Sequence, residues 1–158
     1  MVKLALQLKA ELNNVTDLVP ADAEHNWFFK IQCNSCNEIG ENAVSISASD
    51  NAQISGSRGE ANLVMRCKFC KREGSASIVS GPQPYTQDDS MQEKKILVLE
   101  CRGIEPVQFE PRDGWVAKGA ESSTRFEVDL SENEWYEYDE EAAVDVSITE
   151  MSFSIVHA

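Results

Sequence analysis

Two C-x₂-C pairs, Cys33-Asn34-Ser35-Cys36 and Cys67-Lys68-Phe69-Cys70, constrain this chain more than any other feature. Thirty residues lie between them. A two-residue gap lets both thiolates of a pair face one centre from a tight turn. Two such turns supply four sulfurs at about 2.3 Å from a tetrahedral ion. The fold must therefore bring residues 33–36 against residues 67–70, with both turns at the ends of adjacent strands. Cys36 is followed by Gly40 and Cys70 by Gly74. Each glycine is expected to supply a positive φ where its turn rejoins a strand. Lys30, Arg66, Lys68, Lys71 and Arg72 concentrate around the pairs. They offset the charge of about −2 that four thiolates leave around one Zn²⁺. Phe69 and Ile39 are expected to shield the sulfurs from water.

The leading reading is one closed, structural Zn²⁺ held by Cys33, Cys36, Cys67 and Cys70. Such a site has no open position for water, so its binding energy acts as folding energy and not as catalysis. Iron in the same sulfur tetrahedron is an alternative. Disulfides are another, although no secretory signal is apparent in the alternating segment Met1–Leu12. A dithiol redox pair is a third, but it usually sits in a βαβ setting that this sequence does not display. Cys101 lies on an alternating strand with Leu97 and Leu99 and reads as a buried free thiol, with a fifth ligand or redox sensor as the rival.

The periodicity is predominantly two. Leu4, Leu6, Leu8, Ala10 and Leu12 alternate with Lys3, Gln7, Lys9 and Glu11, and Ala5 alone breaks the polar set. Further strands are expected at 27–32, 43–48, 62–66, 75–79, 95–101, 125–130, 143–148 and 152–156. No amphipathic helix of ten or more residues emerges. This pattern predicts an all-β protein with sandwich or barrel-like architecture. A faint echo runs through it. The stretch from Leu6 through Val15 and Pro20 to Trp27 resembles the stretch from Leu97 through Ile104 and Pro111 to Trp115. The expected organisation is two similar β halves: a zinc-bearing one at 1–80 and an acidic, metal-free one at 93–158. A linker at 81–92 has turn chemistry and little to bury, unless the whole packs as one continuous domain.

Charge divides the chain in the same way. Residues 1–79 hold nine acids and eight bases, and residues 80–158 hold eighteen acids and six bases. The net charge of −13 opposes nucleic-acid binding through bulk electrostatics. The basic patch Arg66–Arg72 is the one feature favouring it. No apolar run reaches the ~18 residues of a membrane span, and a monomeric cytoplasmic protein is expected. His25 and His157, the only histidines, have no nucleophile motif near them, so no catalytic residue is assigned. Arg58-Gly59 with Gly56 lacks the ending of a phosphate loop and reads as a hairpin tip. Asn14-Val15-Thr16 matches a glycosylation sequon, which has no meaning in the cytosol. Between Glu127 and Glu141, eight acids and no base interleave with Trp135, Tyr136 and Tyr138. This segment reads as a solvated strand edge with its aromatics turned inward, as a docking surface for a basic partner or, last, as a calcium site, whose EF-hand loop spacing it does not match.

Taken together, several segments resemble the eukaryotic CXXC-motif-containing zinc-binding proteins. They are the opening Leu4–Leu12, Trp27–Cys33, Ser57–Cys70, Leu99–Pro106 and Trp135–Asp139. The resemblance spans essentially the whole chain. It implies an elongated all-β protein with two similar halves, zinc in the first on Cys33, Cys36, Cys67 and Cys70, and no established enzyme activity. It also implies a protein partner, with a link to the cytosolic copper chaperone that serves superoxide dismutase. A metal-handling or thiol-redox role for the cysteine cluster is the alternative function.

Overall fold

Alternation at Leu4, Leu6, Leu8, Ala10 and Leu12 builds the first long strand, whose inward face is buried residue by residue. The computed structural model describes residues 1–158. Its strands are β1 (Val2–Asn13), β2 (Val15–Pro20), β3 (Trp27–Cys33), β4 (Val44–Ile46), β5 (Ala52–Gln53), β6 (Glu60–Ala61) and β7 (Leu63–Arg66). They continue with β8 (Glu73–Ser80), β9 (Lys94–Arg102), β10 (Ile104–Glu110), β11 (Trp115–Gly119), β12 (Arg125–Val128), β13 (Trp135–Asp139) and β14 (Val144–His157). One short 3₁₀ turn, Gln87–Asp89, is the only helical element. No helix is long and apolar enough to cross a membrane. The all-β expectation is met.

The strands form a six-stranded sheet in the order β13-β14-β1-β9-β8-β7, two three-stranded sheets, β10-β3-β4 and β12-β11-β2, and the small β5-β6 hairpin. The order is that of a pseudo-twofold. Outward from the central β1–β9 pair, β14 answers β8 and β13 answers β7. The two three-stranded sheets exchange in the same way, β2 for β10, β11 for β3 and β12 for β4. Segments 1–80 and 93–158 are thus interleaved: β2 completes a sheet with β11 and β12, and β10 completes one with β3 and β4. Two hinges make the crossing possible. Asn14 (φ 58°) bends β1 into β2, and Gly103 (φ 73°) bends β9 into β10.

One core of 25 buried residues draws on both segments. At its centre Trp27 and Trp115, the echoed residues, meet edge to face at 5.5 Å. His25 packs edge-on against both, at 5.1 and 5.6 Å.

Two expectations change. The strands expected at 143–148 and 152–156 are one continuous strand, β14, which passes through positive φ at Glu150 (52°) where its register with β1 shifts. The segment 81–92 does have something to bury. Tyr85 is fully buried, and its backbone exchanges two 2.9 Å hydrogen bonds with Leu18 of β2. Its hydroxyl accepts the Ala10 N–H at 3.2 Å and lies within 2.7 Å of the Asp89 and Gln92 carbonyls. The segment therefore covers the stretch of β1 beyond Leu8 that β9 does not pair.

Candidate metal centre

The two C-x₂-C segments fold into matching turns. In the first, the Cys33 N–H donates to the Glu38 carbonyl (3.0 Å) and the Asn37 N–H to the Cys33 carbonyl (2.8 Å). In the second, the Cys67 N–H donates to the Arg72 carbonyl (2.9 Å) and the Lys71 N–H to the Cys67 carbonyl (3.0 Å). The positive-φ residue of each turn is Asn37 (63°) or Lys71 (67°). The sequence expectation had placed this role at Gly40 and Gly74, neither of which has positive φ. The reversal happens inside the turn, one residue after its second cysteine, and not where the strand resumes.

Gly74 has a different use. A Cβ there would lie 2.5 Å from Ile104 Cγ2 and 3.0 Å from the Arg102 carbonyl oxygen, so the missing side chain lets β8 approach the β9–β10 hinge. Gly74→Ala is expected to destabilise the protein by about 1–3 kcal/mol through overpacking. Chemical denaturation measures this, and an unchanged midpoint would contradict the close approach.

Each turn sits on a different sheet. Cys33 ends β3, opposite Ile104 of β10 in a three-stranded sheet. Cys67 and Cys70 lie in the β7–β8 turn at the edge of the six-stranded sheet. The four sulfurs nevertheless converge, all lying within 4.8 Å of one another. Two contacts cross between the turns, Cys33 Sγ to Cys70 Sγ and Cys36 Sγ to Cys67 Sγ, both 3.6 Å. Sulfurs placed tetrahedrally about 2.3 Å from a common centre are separated by about 3.8 Å. A disulfide needs about 2.05 Å, and all five cysteines are free. The donor set and its spacing therefore fit a metal ion held between the two sheets.

Backbone amides favour the thiolate at the first cysteine of each pair, whereas at Cys36 the Glu38 N–H is outweighed by burial and the neighbouring Cys67 sulfur, which push the thiol up to about 12. The amide N–H groups of Cys36 and then Ser35 bring the Cys33 thiol down to about 6. The N–H groups of Cys70 and then Phe69 lower Cys67 in the same way, with the Phe69 N–H 3.4 Å from its sulfur. Of the basic residues around the turns, Arg66 donates to the Lys71 carbonyl (2.8 Å) and Lys71 to the Lys68 carbonyl (2.9 Å). Neither pairs with a carboxylate, since the only ion pairs are Lys94–Asp89 and Arg112–Glu110.

Ile39 and Phe69, the residues expected to shield the sulfurs, are themselves largely open to solvent. They are 49% and 63% exposed. Phe69 walls a cavity of about 360 Å³ beside Cys33 and Cys67, together with Ile31, Val44, Met65 and Ile104.

The remaining candidates fall outside the cluster. Cys101 is buried in the core, where burial and then Glu105 and Glu100 push its thiol up to about 12. His25 is lowered chiefly by burial, and His157 pairs with Leu4 at the end of β14. Residues 54–59 form the β5–β6 hairpin tip, with Gly56 at φ 71°. The acidic segment divides its aromatics. Trp135 turns inward onto Phe126 (5.4 Å), while Tyr136 and Tyr138 are 63% and 48% exposed. Asp139, whose acidity had placed it with the exposed charges, is fully buried.

A family model described as "CXXC motif containing zinc binding protein, eukaryotic" matches residues 5–156. A UPF0587 protein of Schizosaccharomyces pombe is 49% identical, with both chains fully covered. The human CXXC motif containing zinc binding protein is 42% identical over 99% of each chain. The crystal structure of C1orf123 superposes with a TM-score of 0.93 at 41% identity over 99% of each chain. A hypothetical protein from Plasmodium falciparum has the same fold, with a TM-score of 0.88 at 24% identity over 99% of this chain and 100% of the other.

Proposed function

The chain belongs to the eukaryotic CXXC motif containing zinc binding protein family, and on that premise we propose that it is a non-catalytic scaffold that acts through contact with a protein partner. One structural Zn²⁺ on Cys33, Cys36, Cys67 and Cys70 clamps it. The carrying observation is the cross-turn sulfur spacing of 3.6 Å between two different sheets. Four thiolates fill a tetrahedral ion's coordination, which leaves it no position at which to activate water. The ion's work is then to fasten the β7–β8 edge to the β10-β3-β4 sheet, and recognition belongs to the outer surface.

The surface that fits a partner is the outward face of β13 and its neighbours. Tyr136 and Tyr138 stand exposed there on an edge strand. The Glu134 carboxylate, 3.3 Å from the Tyr136 hydroxyl, raises that phenol above its ordinary range, with burial and, last, the charge of Glu150 adding to it. A basic protein surface complements this face, with the two tyrosines as anchors. The cytosolic copper chaperone implied by the resemblance is the first partner to test. Glu134→Lys with Glu150→Lys, the two acids whose charge acts on Tyr136, is expected to weaken binding at least tenfold by calorimetry and to reduce its salt dependence. A partner bound equally well by this double variant would contradict the assignment of the face. Asp139 is left out because its side chain is internal.

A second reading, metal exchange, draws on Cys36 and Cys70 being only half-buried. It requires zinc to leave within seconds to a mild chelator while the protein stays folded, whereas the structural reading expects slow loss accompanied by unfolding.

A further inference from the structure

The pseudo-twofold that relates the sheets also relates the loops, and it maps the cysteine centre onto a place in the second half that holds no cysteine. The correspondence is fixed by backbone hydrogen bonds. The Asn34 N–H donates to the carbonyl of hinge residue Gly103 (3.0 Å), and the Ala120 N–H to that of hinge residue Asn14 (2.9 Å). The Cys33 N–H donates five residues ahead to Glu38, and the Gly119 N–H five residues ahead to Thr124 (2.9 Å). On the other side, Cys67 faces Arg72 across its turn as Asp139 faces Val144. The fourth residue after Cys67 and after Asp139 has positive φ in both turns, Lys71 (67°) and Ala143 (57°). Gly119, Ser122, Asp139 and Ala142 therefore stand where Cys33, Cys36, Cys67 and Cys70 stand in the first half.

The contacts repeat as well. The cross-turn sulfur contact between Cys36 and Cys67 becomes a short hydrogen bond from the Ser122 hydroxyl to the Asp139 carboxylate. Thr124 donates a second, at 2.9 Å, and the N–H groups of Glu141 and Ala142 donate two more, at 3.1 and 3.2 Å. A Cβ built on Gly119 points into the same centre, directly at Ser122 Oγ and Asp139 Oδ2. The fully buried carboxylate is thus satisfied by donors from both loops. The Ser122 hydroxyl foremost holds it below the usual carboxylate range.

We propose that this cluster is a second, metal-free clamp at the pseudo-symmetric position of the cysteine centre, with the Asp139 carboxylate in place of the ion. It ties the β11–β12 loop to the β13–β14 turn, as the cysteines tie β3 to the β7–β8 turn. Seating of the acidic face on β13 depends on it and not on metal.

Two variants test the proposal. Asp139→Ala is expected to lower Tm by about 5–10 °C while leaving bound metal per chain unchanged. An unchanged Tm, or loss of metal, would overturn the assignment. The converse variant, G119C/S122C/D139C/A142C, replaces the very atoms that a Gly119 side chain would meet. Refolded with zinc, it is expected to bind one more ion per chain than the unsubstituted protein, with sulfur-only coordination. A folded quadruple variant with no added metal would refute the positional equivalence. If the quadruple variant does not fold, Asp139→Ala alone decides.

Discussion

Cys33→Ser is expected to release the bound metal, abolish amide-exchange protection through β3, β4 and β7, and drive the protein to aggregate. The size of the effect follows from what the centre holds together. Binding of a structural zinc by four thiolates contributes about 10–16 kcal/mol in small domains, as much as the entire stability of an ordinary domain, about 5–15 kcal/mol. The elements it secures have little else. β4, β5, β6 and β7 contain three, two, two and four residues, and of these only Ile46 and Ala61 are buried. Release of the β7–β8 turn would uncover the edge of β8, a template for association between chains. The lesion is not confined to one half of the sequence, because β3 pairs with β10 and β8 with β9. Hydrogen exchange of the metal-free variant checks this. Full protection at residues 63–66 without metal would contradict it.

Trp115→Ala is expected to cost about 3–5 kcal/mol, the range for emptying a large aromatic site in a core. Trp115 is 1% exposed, and Trp27, His25 and the β2–β11 pairing surround it. Its indole Nε1 makes no hydrogen bond to another protein group, so truncation orphans no protein partner and the loss is chiefly of packing and cavity formation. The site lies where the two echoed segments meet, so no nearby element can collapse into the space without moving its counterpart. Trp115→Phe, which keeps a ring against Trp27, should recover roughly half of the loss. Urea denaturation of the three proteins provides the comparison. A deficit below about 1 kcal/mol for the alanine variant would mean that the centre of the molecule lies elsewhere.

The parts of this structure legible in the sequence were those where one side chain period dominated. β1 alternates over five inward positions, and β3, β8 and β9 stand close to their expected ranges. Three of the strands that went unseen have interrupted patterns. β2 is bent by the positive φ of Asp17, and its register with β11 shifts between Val116 and Lys118. β10 carries Pro106 and a bulge between Pro106 and Gln108. β13 hides under its charges, because Asp139 is an acid that points inward. Each of these strands crosses between the two segments or closes the second half, so the interleaving was not visible although the duplication left a trace.

The candidate site followed the same logic. Cysteine has a narrow enough chemistry that its spacing alone brought four sulfurs together. The glycine roles were misplaced because a positive φ can be met by Asn37 and Lys71, whose residue types give little warning. The cluster around Asp139 left no sequence signal, because Gly, Ser, Asp and Ala at C-x₂-C spacing are common in any exposed turn.

X-ray absorption at the zinc edge of the purified native protein, with metal counted per chain, addresses the central claim most directly. One zinc per chain with four sulfur neighbours at about 2.3 Å and no nitrogen or oxygen neighbour is the expected result. A water-derived oxygen bound to the ion, fewer than four sulfurs, or a protein fully folded without metal would contradict it.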